Sequence, residues 1–557
     1  MSAKQRIYRV FTRKYGILLH PDATDYVLEF AERHGLTVEQ VADLTEQLAS
    51  HYAKATVDDA MVDGQRMQRL FSELVLNPAG SQEQHGAADD VAMDDIDALS
   101  QTIGATTLGN PRDHLHVVSA YDLPRWRYDA GQGKYLRQTE KPALMAGVMA
   151  KIQMYNDRAS IIKQRLLRNE CFQPAAFHSG GGRQEETLQL TSIKSLRGRV
   201  GKTFLLFGML SQLEEGRLFL EERDGSVELD LSDCTYSLGL FTENSFALVS
   251  GMLTDDQVFK VGVLAQPPVE DIQTTKRMLG NVDFLGLDTN TADAAMALRI
   301  EKANQEASIV FLSDLHLDLP KTLTHLKAVL AGYAQAATGG ALPPLAFVMM
   351  GSFVSRPLQV GSEDADQYRD NFGRLAELIA QHHILRDRSQ FIFVPGPNDP
   401  WSGDTLPQRP IPESFTERMR TRLPTACFTS NPCRIRYCSQ DIVVLRSNLL
   451  ARMRRHCAVP PQAAHGELAQ QMLQTVIAQA HLTPMPLHRQ PVFWELDHTL
   501  RLYRTPDVLV LGDSASPYHT TLEGCHCFNP GSFPNNAQSW YDYRPARHAA
   551  DFSALPR

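Results

Sequence analysis

The chain has 557 residues, 43% of them apolar and 21% charged, with a formal net charge of −9. This length exceeds a single hydrophobic core and predicts roughly two to four domains, and no stretch reaches the ~18–20 apolar residues of a membrane-spanning helix. An acidic balance excludes a chain that grips a nucleic-acid backbone alone, since that needs clustered Lys and Arg. Of the eight cysteines, Cys427, Cys433, Cys438 and Cys457 lack the paired short spacings of a zinc ribbon, which argues against structural zinc, and Cys525 and Cys527, which flank His526, read as inert thiols of a reducing compartment.

At the start, Lys4, Arg6, Arg9, Arg13 and Lys14 precede any acid. The same stretch places Ile7, Val10 and Phe11 on one helical face, so it reads as the first helix of a domain rather than a presequence, and no secretory signal is visible. Residues 1–76 are expected to form an all-α bundle. Thr37 and Gln40 make a capping box, Val41, Leu44 and Leu48 follow on one face, and a last helix carries Met67, Leu70, Phe71, Leu74 and Val75. The periodicity stops at Asn77-Pro78. Residues 77–111 hold Glu83, Asp89, Asp90, Asp94, Asp95 and Asp97 without Lys or Arg, the composition of a flexible acidic linker.

Residues 112–180 read as a strand-like segment, His116 to Tyr128, and a long helix from about Lys141 to Cys171 with Arg158, Arg165 and Arg168. Within 181–270 the period changes. Short β-type runs (Thr203–Leu210, Leu218–Glu221, Val227–Leu231, Phe246–Leu253, Val258–Val263) suit a small closed barrel of the OB type. Glu214, Glu215, Glu221, Glu222, Asp224, Glu228, Asp230 and Asp233 outnumber Arg217 and Arg223 there. That favours a protein-docking barrel over one that binds single strands.

Residues 271–557 alternate apolar runs with helices: Ile309–Leu312, Leu345–Met350, Phe391–Val394, Ile442–Leu445 and Val508–Leu511 are strands covered on both faces, and Phe372, Leu375, Leu378 and Ile379 mark one helix between them. An α/β domain keeps its functional positions just after the strand ends. Those positions read Asp314-Leu315-His316, Gly351-Ser352, Gly396-Pro397-Asn398-Asp399 and Gly512-Asp513-Ser514-Ala515, with His481 the candidate for a lone histidine.

Segment by segment this resembles the binuclear metallophosphoesterases, whose pattern is Asp-x-His, Gly-Asp, Gly-Asn-His-Asp/Glu, a lone His and Gly-His-x-His. Two metals bridged by a carboxylate there activate water for attack on phosphorus. Here the bridging position is Ser352, the liganding amide is Pro397, the acid histidine is Asn398, and the last histidines are replaced, one by Ala515. Asp314 and His316 could reach one metal position and His481 with Asp513 another, but nothing bridges them. No metal, cofactor or catalytic residue is expected, and Asp314 and His316 read as loop architecture. The fold class expected is multidomain: an N-terminal all-α bundle, an OB β-barrel and a C-terminal α/β metallophosphoesterase-like sandwich.

A barrel directly before a degenerate phosphoesterase domain is similar to the B subunits of eukaryotic replicative DNA polymerases. Five stretches resemble the epsilon B subunits in particular: Ala120 to Tyr128, Asn431 to Tyr437, Gln440 to Val444, His481 to Leu487, and Asn529-Pro530-Gly531-Ser532-Phe533. The helical head and tether fit that layout too, with the alpha–primase B subunit the nearest competitor. The resemblance implies a non-catalytic nuclear scaffold. Barrel and phosphoesterase-like domain would hold the zinc-bearing C-terminal region of the catalytic subunit, and residues 1–76 would contact the GINS part of the replicative helicase. Small histone-fold subunits would belong to the same holoenzyme, and DNA would be held only indirectly. A working phosphodiesterase and a single-strand binder are the competing functions. Neither the insertion Gln359–Asp366 nor the tail Asn535–Arg557 offers a landmark.

Overall fold

The computed structural model describes residues 111–173, 188–280, 282–287, 291–358, 363–400 and 403–556, with scattered positions before residue 111. The chain divides into two compact units, Met1–Leu115 with Asp288–Gln305, and His116–Leu287 with Glu306–Arg557. In the first, Ile7, Phe11, Val27 and Leu48 are fully buried, Leu18–Leu19 pairs in parallel with Met61–Val62, and Thr291–Ala303 is a helix. The capping pair Thr37 and Gln40, Val41, Leu44, the helix ending at Val75 and the acidic stretch 77–110 lie outside the described residues.

The second unit begins with β1 (Leu115–Ser119) and the hairpin β2 (Arg125–Asp129) and β3 (Lys134–Gln138), then helix α1 (Val148–Arg168). A six-stranded barrel sheet follows: β4 (Thr203–Glu214), β5 (Arg217–Glu222), β6 (Gly225–Asp230), β7 (Thr235–Tyr236), β8 (Phe246–Leu253) and β9 (Phe259–Ala265). β4 pairs with both β5 and β8, β8 with β9, and β9 returns in parallel to β6, which closes the barrel around Leu206, Leu220, Val249 and Phe259. The register of β8 on β9 shifts between Ser250 and Gly251. A Cβ on Gly251 would lie 2.1 Å from the carbonyl oxygen of Lys260, so only glycine allows the sharp bend.

After helix α2 (Ile272–Leu279) come two six-stranded sheets. The first is built from β10 (Ile309–Leu312), β11 (Ala346–Met350), β12 (Gln390–Val394) and β13 (Cys427–Phe428). The second contains β14 (Cys433–Tyr437), β15 (Gln440–Arg446), β16 (Val508–Gly512), β17 (Tyr518–Leu522) and β18 (Cys525–Asn529), with β1 at its edge. The tail that carried no sequence landmark forms β19 (Ser539–Arg544) and β20 (Ala549–Ala554), and β19 enters the first sheet antiparallel to β10. Its aromatic residues explain why: Trp540, Tyr541 and Tyr543 are buried, and the Trp540 indole donates to the Tyr333 hydroxyl at 2.9 Å.

Apolar side chains fill β10, β11 and all of β12 after Gln390 because helices cover the first sheet. Tyr368, Phe372, Leu375 and Ile379, spaced three and four apart on helix α3 (Asp364–Ala380), pack with Phe353, Phe391 and Phe393 in one core. Each such buried side chain contributes about 1.5–3 kcal/mol. The helix begins inside the stretch Gln359–Asp366, so its last residues are a helix N-terminus. Neighbouring strands run parallel in both sheets, β10, β11, β12 and β13 in one and β15, β16 and β18 in the other. Their C-terminal loops supply the candidate site.

Barrel and sandwich are joined by buried polar contacts. Gln479 exchanges two hydrogen bonds of 2.7 Å with the Phe246 backbone and donates to Gln266 at 2.8 Å, and Thr242 donates to the Pro484 carbonyl at 2.5 Å. The three arginines of α1 anchor that helix to the sandwich and to the chain just after the barrel: Arg158 pairs with Asp497, Arg165 donates to the Leu502 carbonyl, and Arg168 makes a two-pronged pair with Glu270 at 2.9 and 2.7 Å. Asp497, fully buried, also accepts from Arg501 at 2.8 Å and lies 3.2 Å from His481. Asp497→Asn keeps the shape but takes the counter-charge from Arg158 and leaves Arg501 with Asp157 alone, at 3.2 Å. The full chain is expected to lose about 3–5 kcal/mol of unfolding free energy in urea titration. A loss within about 0.5 kcal/mol, the scatter of ordinary surface changes, would show that the arginines are neutralised elsewhere.

Candidate functional site at the strand ends

Asp314 follows β10 with φ +58°, a left-handed conformation that Asp tolerates better than most residues. Its carboxylate accepts from the Ser352 N–H at 3.2 Å and lies 3.5 Å from His316 Nε2. The strongest partner is Arg446, at the end of β15, whose Nη2 donates to Asp314 Oδ1 at 2.5 Å. The same guanidinium donates through Nε to the Gly351 carbonyl at 2.6 Å and through Nη1 to the Gly512 carbonyl at 3.0 Å and Asn448 Oδ1 at 2.9 Å. Arg446 is buried. Burial alone would raise the Asp314 carboxyl, but Arg446 and His316 outweigh it and hold the group well below the usual carboxylate range.

The other family positions are bound to the loops themselves. Ser352 Oγ accepts from Asn398 N at 3.2 Å, and Asn398 Nδ2 donates to the Val354 and Ser355 carbonyls at 3.2 and 3.3 Å. Asp399 accepts from Gly396 N at 2.6 Å, Phe353 N at 2.8 Å and the Tyr368 hydroxyl at 3.1 Å, and burial pushes its carboxyl up to about 6. Asp513 accepts from Leu450 N at 2.9 Å and Ala515 N at 3.0 Å, with its own pKa raised by burial. Pro397 sits in the turn between Gly396 and Asp399. A Cβ on Gly396 would lie 2.4 Å from Ser352 N, so the two loops meet where no side chain fits.

One expectation is corrected. His481 does not join Asp513: its Nε2 faces Asp497 in the Arg158–Asp497–Arg501 cluster and its Nδ1 accepts from Thr483 N at 3.1 Å. Asp314 and His316 do lie together and bind loop backbone, and Asp314 is in addition the counter-ion of Arg446. Arg446 was missed in the sequence although its position was informative: a lone cation closing the run Ile442 to Leu445 stands where α/β domains place functional side chains.

The metal pair that the phosphoesterase pattern implies does not fit these residues. A guanidinium stands among Asp314 and the Gly351 and Gly512 carbonyls, and among the described residues no three His, Cys, Asp or Glu side chains are arranged to hold a metal ion.

A family model for the B subunit of DNA polymerases alpha and epsilon matches residues 309–521, and one described as the OB-fold domain of DNA polymerase epsilon subunit 2-like proteins matches 148–268. DNA polymerase epsilon subunit 2 of Bos taurus is 36% identical, covering 83% of this chain and 86% of its own, and that of Homo sapiens is 34% identical over 93% and 95%. The chain belongs to the DNA polymerase epsilon B-subunit family. The epsilon B subunit of Arabidopsis thaliana extends the similarity, at 33% identity, over 99% of both chains. Among solved structures, a novel archaeal phosphodiesterase matches 44% of this chain and 99% of its own at 9% identity and a TM-score of 0.23. The family is one of non-catalytic polymerase subunits, and the alpha–primase alternative gives way to the epsilon relatives.

Stretches singled out in the sequence have physical roles in the fold. Asn431 clamps the Arg446 backbone from both sides, accepting its N–H at 2.9 Å and donating to its carbonyl at 2.7 Å. Asn529 accepts from Asp513 N and Gly531 N, both at 2.9 Å, and Gly531 takes φ +74° to let Phe533 N reach the Ser313 carbonyl. Ala120 N donates to Ser430 Oγ at 2.7 Å, tying the first stretch to the second.

His481 gives the epsilon B-subunit chain a pH dependence. Burial, then Arg158, lower its pKa from 6.5 to about 4. The unfolded chain therefore takes up a proton near 6.5 that the folded chain refuses until about 4. The associated stability is complete above 6.5 and is lost as pH falls through that window, by about 3 kcal/mol at ~1.4 kcal/mol per unit. His481→Gln should flatten the fall in urea midpoint between those pH values; an unchanged slope would assign it to other groups.

Proposed function

We propose that the chain is the scaffold of the polymerase epsilon holoenzyme, holding the zinc-bearing C-terminal region of the catalytic subunit on its barrel and sandwich and linking the polymerase to GINS through residues 1–76. The carrying observation is the Arg446 site, in a family of non-catalytic subunits: its polar side chains are bound to one another and to loop backbone, so they serve architecture. In this reading the domain limits fall near residues 76, 111, 180 and 270, and residues 77–111 tether the head, which sets its effective concentration at a second partner. Histone-fold subunits share the same nuclear assembly, and DNA is reached through partners.

The barrel supports protein docking. None of its described aromatic side chains is exposed, whereas single-strand binding rests on aromatic platforms and a basic groove. A scaffold of this kind buries an apolar surface on its partner, and the start of α1 with the residues just before it offers one: Met145, Val148, Met149 and Ile152, spaced three, four and seven apart, are exposed. Gentle affinity purification of the tagged full chain from nuclear extract, read by mass spectrometry, should recover the epsilon catalytic subunit. Met145→Asp with Met149→Asp should reduce that recovery several-fold while the purified chain keeps its melting temperature. Recovery of the alpha catalytic subunit, or of no polymerase, contradicts the proposal.

A further inference from the structure

We propose that Arg446 is the resident cation of this site, a covalently attached positive charge that does for the strand-end loops what an exchangeable metal pair does in the phosphoesterase pattern. This role stands apart from any partner and rests on how the guanidinium is held.

Its acceptors are a hard cation's ligands, oxygens drawn from both sheets: Asp314 and the Gly351 carbonyl from the first, the Gly512 carbonyl from the second, with Asn448 beside them. Asp399 and Asp513 lie within its field. Three buried carboxyls around one point need a positive charge. The planar fork of arginine meets four acceptors at once, which the point charge of lysine cannot do. The surroundings are shaped for it: a Cβ on Gly512 would come within 3.1 Å of Arg446 Cδ, and Asn431 fixes its backbone. A tethered cation cannot be chelated and offers no exchangeable position for water or phosphate, so the replacement both closes the site to hydrolysis and keeps its loops joined.

The test is the melting temperature of the full-length chain, wild type and variants, with EDTA, millimolar MnCl2 or millimolar methylguanidinium. Wild type should be indifferent to all three. Arg446→Gly should melt roughly 2–5 °C lower, the range expected when a buried charge loses its partner in a chain of this size, and should regain part of that in MnCl2 or methylguanidinium. Should the glycine variant not fold, Arg446→Lys and Arg446→Met decide, since a cationic role requires Lys to melt above Met. The proposal is overturned by a wild-type chain that MnCl2 stabilises, by a glycine variant that melts like wild type or is rescued by neither cation, or by Lys and Met variants that melt alike.

Discussion

One guanidinium joins the two halves of the sandwich. β10 and β11 end on one side and β15 and β16 on the other, and each pair delivers carbonyl or carboxylate oxygens to Arg446. β10 and β11 run parallel, as do β15 and β16, so the C-terminal loops of each pair open at one end. In an enzyme that convergence presents ligands to substrate; here it presents acceptors to a buried side chain. The other strand-end groups, Ser352, Asn398, Asp399 and Asp513, bond to loop N–H and C=O groups, and Asp399 accepts from the Tyr368 hydroxyl as well.

A second cluster works in the same way. Asp497 gathers Arg158, Arg501 and His481 where α1 meets the sandwich. Together with the Gln479 and Thr242 bonds to the barrel, it turns three sequence-distant segments into one unit. Both clusters are buried charges held in place by good geometry, the condition under which such charges are tolerated at all. A scaffold that presents a surface gains from such fixed internal geometry, because less ordering is left to be done on binding.

Much of this was legible in the sequence. The five barrel runs and five buried strands appear within a residue or a few of their expected limits, because continuous apolar runs and turn-bounded alternation report burial directly. The edge and tail strands were not, since β17 and β20 are half exposed and show no continuous apolar run, while β13 is two residues long. At the site, the loss of ligands could be read from Ser352, Pro397 and Ala515, but what replaced them could not. Arg446 lies 132 residues from Asp314, and only the fold brings a strand-end cation to a strand-end acid. His481 was misplaced for the converse reason: a motif position says nothing about which buried carboxylate is nearest.

With its strand-end oxygens committed to Arg446, this site is predicted to hydrolyse no phosphodiester. The most direct measurement is hydrolysis of bis(p-nitrophenyl) phosphate by the purified full-length chain in MnCl2, compared with Asp314→Ala. The account predicts no release of nitrophenol above the uncatalysed rate from either protein. Manganese-dependent turnover by the wild-type chain that disappears in Asp314→Ala would contradict it.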